Sequence, residues 1–146
     1  MAGYSVSIQW KKSGGQAQDE HYSWTFENGL VIQPLQDGDT SSMVDPESAF
    51  IASVSSCHML SLMAIAAKKG YIIQRYEDRA VGALEKNAEG RIAVTRILLQ
   101  PRISFGGPNI PDMSEVERLH DAAHRNCFIA NSVTSTIQIE SQRSAI

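Results

Sequence analysis

Asp45-Pro46-Glu47-Ser48-Ala49-Phe50, followed by Ile51 to Ser56, Cys57-His58-Met59-Leu60, Ser61 to Ala66 and Ala67-Lys68-Lys69-Gly70, is the stretch that decides the fold. Its punctuation specifies one long helix. Asp45 is a good N-cap, Pro46 suits the first helical position, where its missing N–H costs nothing, and Glu47 favours the positive end of the helix dipole. Lys68 and Lys69 suit the negative end, and Gly70 is a ready stop. Between them, Ala49 to Ala67 spans nineteen residues of which five are polar: Ser53, Ser55, Ser56, His58 and Ser61. A helix apolar almost all the way round asks to be covered on most sides. That is demanding for a chain of 146 residues, and two such helices wrapped together in a dimer would meet it. A membrane span needs about 20 predominantly apolar residues. This run is short, studded with polar groups and set among strands, so it reads as a buried core helix.

On the N-terminal side, Tyr4, Val6, Ile8 and Trp10 alternate with Ser5, Ser7 and Gln9, the period-two pattern of a half-buried strand. After Ser13-Gly14-Gly15 and a polar run, Tyr22, Trp24 and Phe26 alternate again, giving a hairpin. Leu30-Val31-Ile32 adds a short third strand before the polar loop Gln36 to Ser42. On the C-terminal side, Tyr76 to Leu84 and Ile92 to Ile103 read as two strands joined by Asn87-Ala88-Glu89-Gly90. A second helix starts near Asp112, with Glu115 three residues on as a capping box. Val116, Leu119, Ala123 and Cys127 form its inward stripe. Val133, Ser135, Ile137 and Ile139 make a last strand. The order βββ-α-ββ-α-β describes one α+β domain over residues 1–146, with no internal repeat.

Composition narrows the function. Hydrophobic residues at 42% and charged residues at 20% describe an ordinary globular protein. A net charge of −3 is small and of the wrong sign to attract nucleic acid. Met1 to Ile8 has neither the basic nor the apolar region of a signal peptide, which places the chain in the cytoplasm, where thiols are normally reduced. The two cysteines are too few for a disulfide-stapled scaffold or a four-cysteine zinc site.

Those two, Cys57 in the middle of the first helix and Cys127 at the end of the second, admit two readings. Both are small buried hydrophobes, or they form a spatial dithiol in which one attacks and the other resolves, trapping a sulfenic acid as a disulfide before further oxidation. Glu47, Phe50, Val54 and Cys57 share a helical face, although Glu47 and Cys57 are about 15 Å apart along it. The two would therefore act together only through a partner or across a subunit boundary. His120, His124 and Cys127 fall at i, i+4 and i+7, a spacing that presents two imidazoles and a thiolate to a metal, without an evident fourth ligand. His58 adjoins Cys57 but points about 100° away from it, as a core or interface histidine does. No phosphate-binding glycine motif and no Gly-x-Ser-x-Gly elbow is present, and no cofactor is called for.

Two segments carry a resemblance: Asp45 to Gly70 as quoted above, and His124-Arg125-Asn126-Cys127-Phe128-Ile129-Ala130-Asn131-Ser132-Val133. At this separation and in this element order, the chain resembles the OsmC/Ohr family of thiol-dependent hydroperoxide reductases. The resemblance implies an intertwined homodimer with its central helices packed together and its active sites at the subunit interface. It implies that Cys57 attacks a peroxide, that Cys127 resolves, that Glu47 is the catalytic glutamate, and that an external dithiol returns the electrons.

One family part is missing. Members carry an arginine in the first hairpin loop or in the loop before the central helix, whereas the first arginine here is Arg75. Lys11, Lys12 and Arg125 are the candidate replacements, and a lysine supplies charge without the planar bidentate fork. Beside the peroxidase reading stands a second one, a protein of the same fold that binds a small apolar or electrophilic ligand at the dimer interface.

Overall fold

The central helix is present as α1, Pro46–Lys68, in a computed structural model that describes residues 3–10, 22–33 and 44–142. It ends as its sequence predicts. Gly70 takes a φ of +79°, Tyr71 N–H donates to Ala66 O at 3.0 Å and Gly70 N–H to Ala67 O at 3.1 Å. This double bond pattern satisfies carbonyls that the helix end would leave open.

The chain divides into two units, Met1–Asp45 and Pro46–Ile146. In the first, β1 (Val6–Trp10) pairs antiparallel with β2 (Tyr22–Phe26), with Ile8 opposite Trp24. The short β3 (Val31–Ile32) pairs with β2 through Trp24 and Ile32. Gly29, at a φ of +86°, makes the turn, braced by Leu30 N–H on Asn28 Oδ1 at 3.0 Å. These are the three strands read from the sequence, but β1 is exposed along its whole length instead of half-buried. Residues 11–21 and 34–43, including Lys11 and Lys12, lie outside the described residues.

In the second unit the expected pair of strands is a ribbon cut into four. β4 (Ile72–Asp78) pairs antiparallel with β7 (Pro101–Gly106), and β5 (Val81–Lys86) pairs with β6 (Ile92–Leu99). The observed order is βββ-α-ββββ-α-β, which corrects the ββ reading of that segment. The cut has a chemical cause. Pro101 has no N–H for a ladder, and Gln100 gives its N–H to Asp78 Oδ1 at 2.7 Å instead of to a strand. The other oxygen of Asp78 accepts from Ser55 Oγ on α1 at 2.5 Å, so one carboxylate pins the corner to the helix. At Gly82 on β5, an added Cβ would collide with Ile51 Cδ1, which is how closely α1 lies on the strand.

The second helix, α2 (Met113–Asn126), is capped by Asp112, whose Oδ1 accepts from Glu115 N–H at 2.8 Å. The return half of the expected capping box is replaced. The Glu115 carboxylate reaches Lys69 Nζ at 2.8 Å and Arg118 at 2.7 Å. Because Lys69, just past the end of α1, meets the first turn of α2, the two helices run antiparallel. The last strand, β8 (Thr136–Ile139), pairs parallel with β6. It begins three residues later than its alternation suggests, because a 3-10 turn at Ala130–Ser132 precedes it.

The core consists of two apolar clusters along α1. Val54 joins Ile97 and Leu99 in one, and Leu62 and Ala66 join Ile103, Leu119 and Ala123 in the other. Val54, His58, Leu62 and Ala66 are the buried residues of α1. Among the described residues of this unit the helix is therefore covered along one stripe, not on most sides. Ala52, Ser56, Leu60, Met63, Ala64 and Ala67 are exposed on its far side.

Candidate functional site

Cys57 lies on α1 beside the buried stripe and is half-buried, while Cys127 is buried; both are free thiols. Cys127 terminates α2 in an extended conformation, which turns it off the helix. Here the two side chains, seventy positions apart in sequence, come close enough for Cys57 to act on the Cys127 thiol. The sequence identified both thiols; their contact is a product of packing α2 against α1.

The chain around Cys127 is braced by its own polar groups. Ala130 N–H donates to Cys127 Sγ at 3.3 Å, Asn131 N–H to Cys127 O at 3.1 Å, and Asn131 Nδ2 to Arg125 O at 3.3 Å. Ser132 Oγ closes on Phe128 O at 2.7 Å. Burial first, then the neighbouring Cys57 thiol, push the Cys127 thiol up to about 11, against the opposing N–H groups of Ala130 and Ile129. At neutral pH Cys127 is therefore a thiol with its proton in place. None of the groups acting on it is a cation.

Glu47 stands exposed in the first turn of α1, ten residues from Cys57, which the helical rise makes about 15 Å. The chain by itself does not bring the two together. Arg125 is exposed and two positions before Cys127, hence on a different side of the helix; the contact it contributes to this loop is its carbonyl.

The histidines are arranged otherwise than the metal reading expects. His120 Nδ1 is turned to His58 Nε2 at 2.9 Å, the two rings lying within 4° of one plane orientation at 5.3 Å between centroids. His120 thus faces α1 while Cys127 faces Cys57. Among the described residues no cluster of three His, Cys, Asp or Glu side chains is placed to hold a metal, so the His120, His124 and Cys127 face is not a ligand set. Both histidines of the pair are in the core, at 1% and 4% exposure. Burial, then the charges of His120 and His124, hold His58 down to about 4, and burial likewise lowers His120 against the pull of Asp121 and Asp78. The sequence held a faint signal for this pair: His58 continues the i, i+4 run of Val54, Leu62 and Ala66, and His120 follows Leu119 on the inward stripe.

A cleft of about 420 Å³ opens on the other flank of α1, lined by Ser48, Ile51, Ser55 and Met59 together with Tyr76 and Asp78. The buried Tyr76 hydroxyl has no hydrogen-bond partner, and burial, followed by Asp78, pushes its phenol above its ordinary range. This flank faces away from Cys57.

The sequence profile described as "OsmC-like protein" matches residues 38–142. The chain is similar in structure to an OsmC-like protein of unknown function from Vibrio cholerae, at 36% identity and a TM-score of 0.90 over 97% of this chain and 100% of that one. It shares its fold with an OsmC-like protein from Mycoplasma pneumoniae, at 16% identity and a TM-score of 0.77 over 97% of each chain. It shares it also with the organic hydroperoxide resistance protein OhrB of Bacillus subtilis, at 18% identity and a TM-score of 0.65 over 98% of each. No curated protein matches the sequence.

Proposed function

Given that the chain belongs to the OsmC-like protein family, we propose that it is a cytoplasmic thiol-dependent peroxidase that reduces organic hydroperoxides as a homodimer. The observation that carries this reading is the nearness of the half-buried Cys57 thiol to the buried Cys127 thiol across α1 and α2.

Cys57, the less buried of the two, is the peroxidatic residue. Its thiolate sulfur attacks a peroxide oxygen, an S–O bond forms, the O–O bond breaks, and the departing alkoxide takes up a proton as an alcohol. Cys127 then attacks the sulfenic sulfur. An S–S bond forms, the S–O bond breaks, and the hydroxyl leaves as water with the Cys127 proton, which the raised thiol pKa has kept in place. The Ala130 N–H at 3.3 Å stabilises charge growing on that sulfur as its proton leaves. An external dithiol restores both thiols by exchange. Phe128, 79% exposed beside Cys127, and the half-buried Phe50 on the Cys57 face of α1 favour an apolar peroxide.

Glu47 acts in this scheme from a second copy, since within one chain it lies too far from Cys57. The exposed apolar side of α1, where Leu60 is 62% and Met63 37% exposed, supports that dimer. Residues 1–146 then act as one domain of this fold, without a metal or cofactor. Stopped-flow mixing of the reduced protein with an alkyl hydroperoxide tests the proposal. A second-order oxidation that vanishes in Cys57→Ser is the expected result; thiols that survive excess peroxide would sink it.

A second reading rests on the cleft flanking α1. A small, largely apolar ligand would be seated between Ile51, Met59 and Tyr76. Such a ligand would raise the melting temperature equally in the wild type and in Cys57→Ala.

A further inference from the structure

Among the described residues, two side-chain hydrogen bonds tie α1 and its C-terminal end to α2, and only one of them is buried. Lys69 to Glu115 is an ion pair whose lysine is 46% exposed, a class of contact worth little. Cys57 lies near Cys127 and raises its thiol. His58 Nε2 to His120 Nδ1, at 2.9 Å, lies buried in the core. On α1 it sits between the two apolar clusters, one turn from Val54 below and one turn from Leu62 above.

Apolar surfaces tolerate sliding and repacking far better than a hydrogen bond does. A neutral imidazole pair fixes one nitrogen against one nitrogen, and any slip of α2 along α1 leaves both without a partner in an apolar surrounding. The pair is also a poor choice for stability alone. His58 Nδ1 and His120 Nε2 are buried without partners, a cost that two leucines of similar size would not carry.

We propose that the His58–His120 hydrogen bond sets the register of α2 on α1 and thereby holds Cys127 against Cys57 for disulfide closure. This rests on the dithiol reading given above. Cys57 precedes His58 on α1, and Cys127 lies seven residues beyond His120, about 10 Å along α2. Neither histidine is among the groups acting on the Cys127 thiol, so both are positioning residues. They work through the helices and not on sulfur.

The test reads disulfide closure without peroxide. Reduced full-length protein is equilibrated with oxidised and reduced glutathione, and the ratio at half-oxidation gives the effective concentration of Cys57 and Cys127 for each other. In this reaction the protein dithiol is oxidised to the disulfide while glutathione disulfide is reduced to two thiols. In His58→Leu/His120→Leu, where both polar partners are removed together so that no imidazole is stranded, the effective concentration should fall about tenfold or more, while the melting temperature stays at or above the wild-type value. A double variant with the wild-type effective concentration overturns the proposal. If the double variant does not fold, His120→Asn decides, because its amide places a donor or acceptor near the Nδ1 position. It should keep the wild-type value while His120→Leu loses it, and equal losses in the two overturn the proposal. A wild type that closes its disulfide with glutathione but is inert to hydroperoxide rejects the peroxidase reading and leaves the register role standing. A wild type that never closes it rejects both.

Discussion

Asp78 Oδ2 accepts a 2.5 Å hydrogen bond from Ser55 Oγ, and its Oδ1 takes the Gln100 N–H at 2.7 Å. One carboxylate thus joins the central helix to the corner where the long ribbon changes direction. Removing it leaves the Gln100 N–H without a partner beside the buried Leu99 and Pro101. Asp78→Ala should cost about 2–3 kcal/mol and Ser55→Ala about 1 kcal/mol, as hydrogen bonds to a charged group and the stranding of a half-buried donor do. Urea unfolding of the two variants measures both, and wild-type stability in Asp78→Ala would mean that Pro101 alone makes the corner.

Cys127→Ser separates the two oxidation steps. Cys57 should still react with an alkyl hydroperoxide at close to the wild-type rate, because attack precedes resolution. With no thiol in reach, the sulfenic acid should go on to sulfinic acid under excess peroxide, and turnover with a dithiol reductant should stop. Intact-mass measurement would show two added oxygens on the variant and the loss of two hydrogens on the wild type. Disulfide-like behaviour in the variant would assign resolution elsewhere.

Acid should destabilise the fold through the buried histidines before it reaches the carboxylates. His58 is held at about 4 against an ordinary value of 6.5. The unfolded chain therefore binds more protons in that window, and stability falls as pH falls. The contribution is fully present above pH 6.5 and is lost as pH drops towards 4, to a total of about 3 kcal/mol. His120 adds in the same direction. The groups facing the pair are His124 from α2, which lowers His58, and Asp121 and Asp78, which pull His120 the other way. Glu85, Asp112 and Glu115 are lowered by hydrogen bonds and ion pairs, and they act only as pH falls below about 4.5. Unfolding free energies at pH 7, 6 and 5 should decline in the wild type and run level in His58→Leu/His120→Leu. Equal slopes would clear the histidines of this role.

Leu60→Glu tests the exposed side of α1. A charge there leaves the buried stripe of Val54, His58, Leu62 and Ala66 untouched, so helical circular dichroism should persist. The homodimer should dissociate, read as a halved mass in sedimentation equilibrium. Because Glu47 is proposed to act across the subunit boundary, the peroxide rate should fall about tenfold or more with it. A dimer that survives would move the interface to another face.

Local rules were enough for much of this protein. Asp45-Pro46 and Lys68-Lys69-Gly70 bound the central helix, Asp112 starts the second, and alternation marks the strands, because caps, turns and side-chain periods are decided within about four residues of chain. The same reading singled out Cys57 and Cys127 as thiols able to form a pair. It stopped where partners are distant in sequence. The ribbon breaks at Gln100 because a carboxylate twenty-two positions away takes its N–H. The helix that looks fit to be buried all round is covered along one stripe, because one chain supplies only one set of neighbours. His120 faces His58 instead of a metal, and the thiol of Cys127 meets that of Cys57, because the packing of α2 on α1 sets which way each residue points. Sequence alone determined which groups the protein has to work with and on which helices they ride; tertiary structure decided which of them touch, since a contact across seventy residues depends on packing angles that no local pattern encodes.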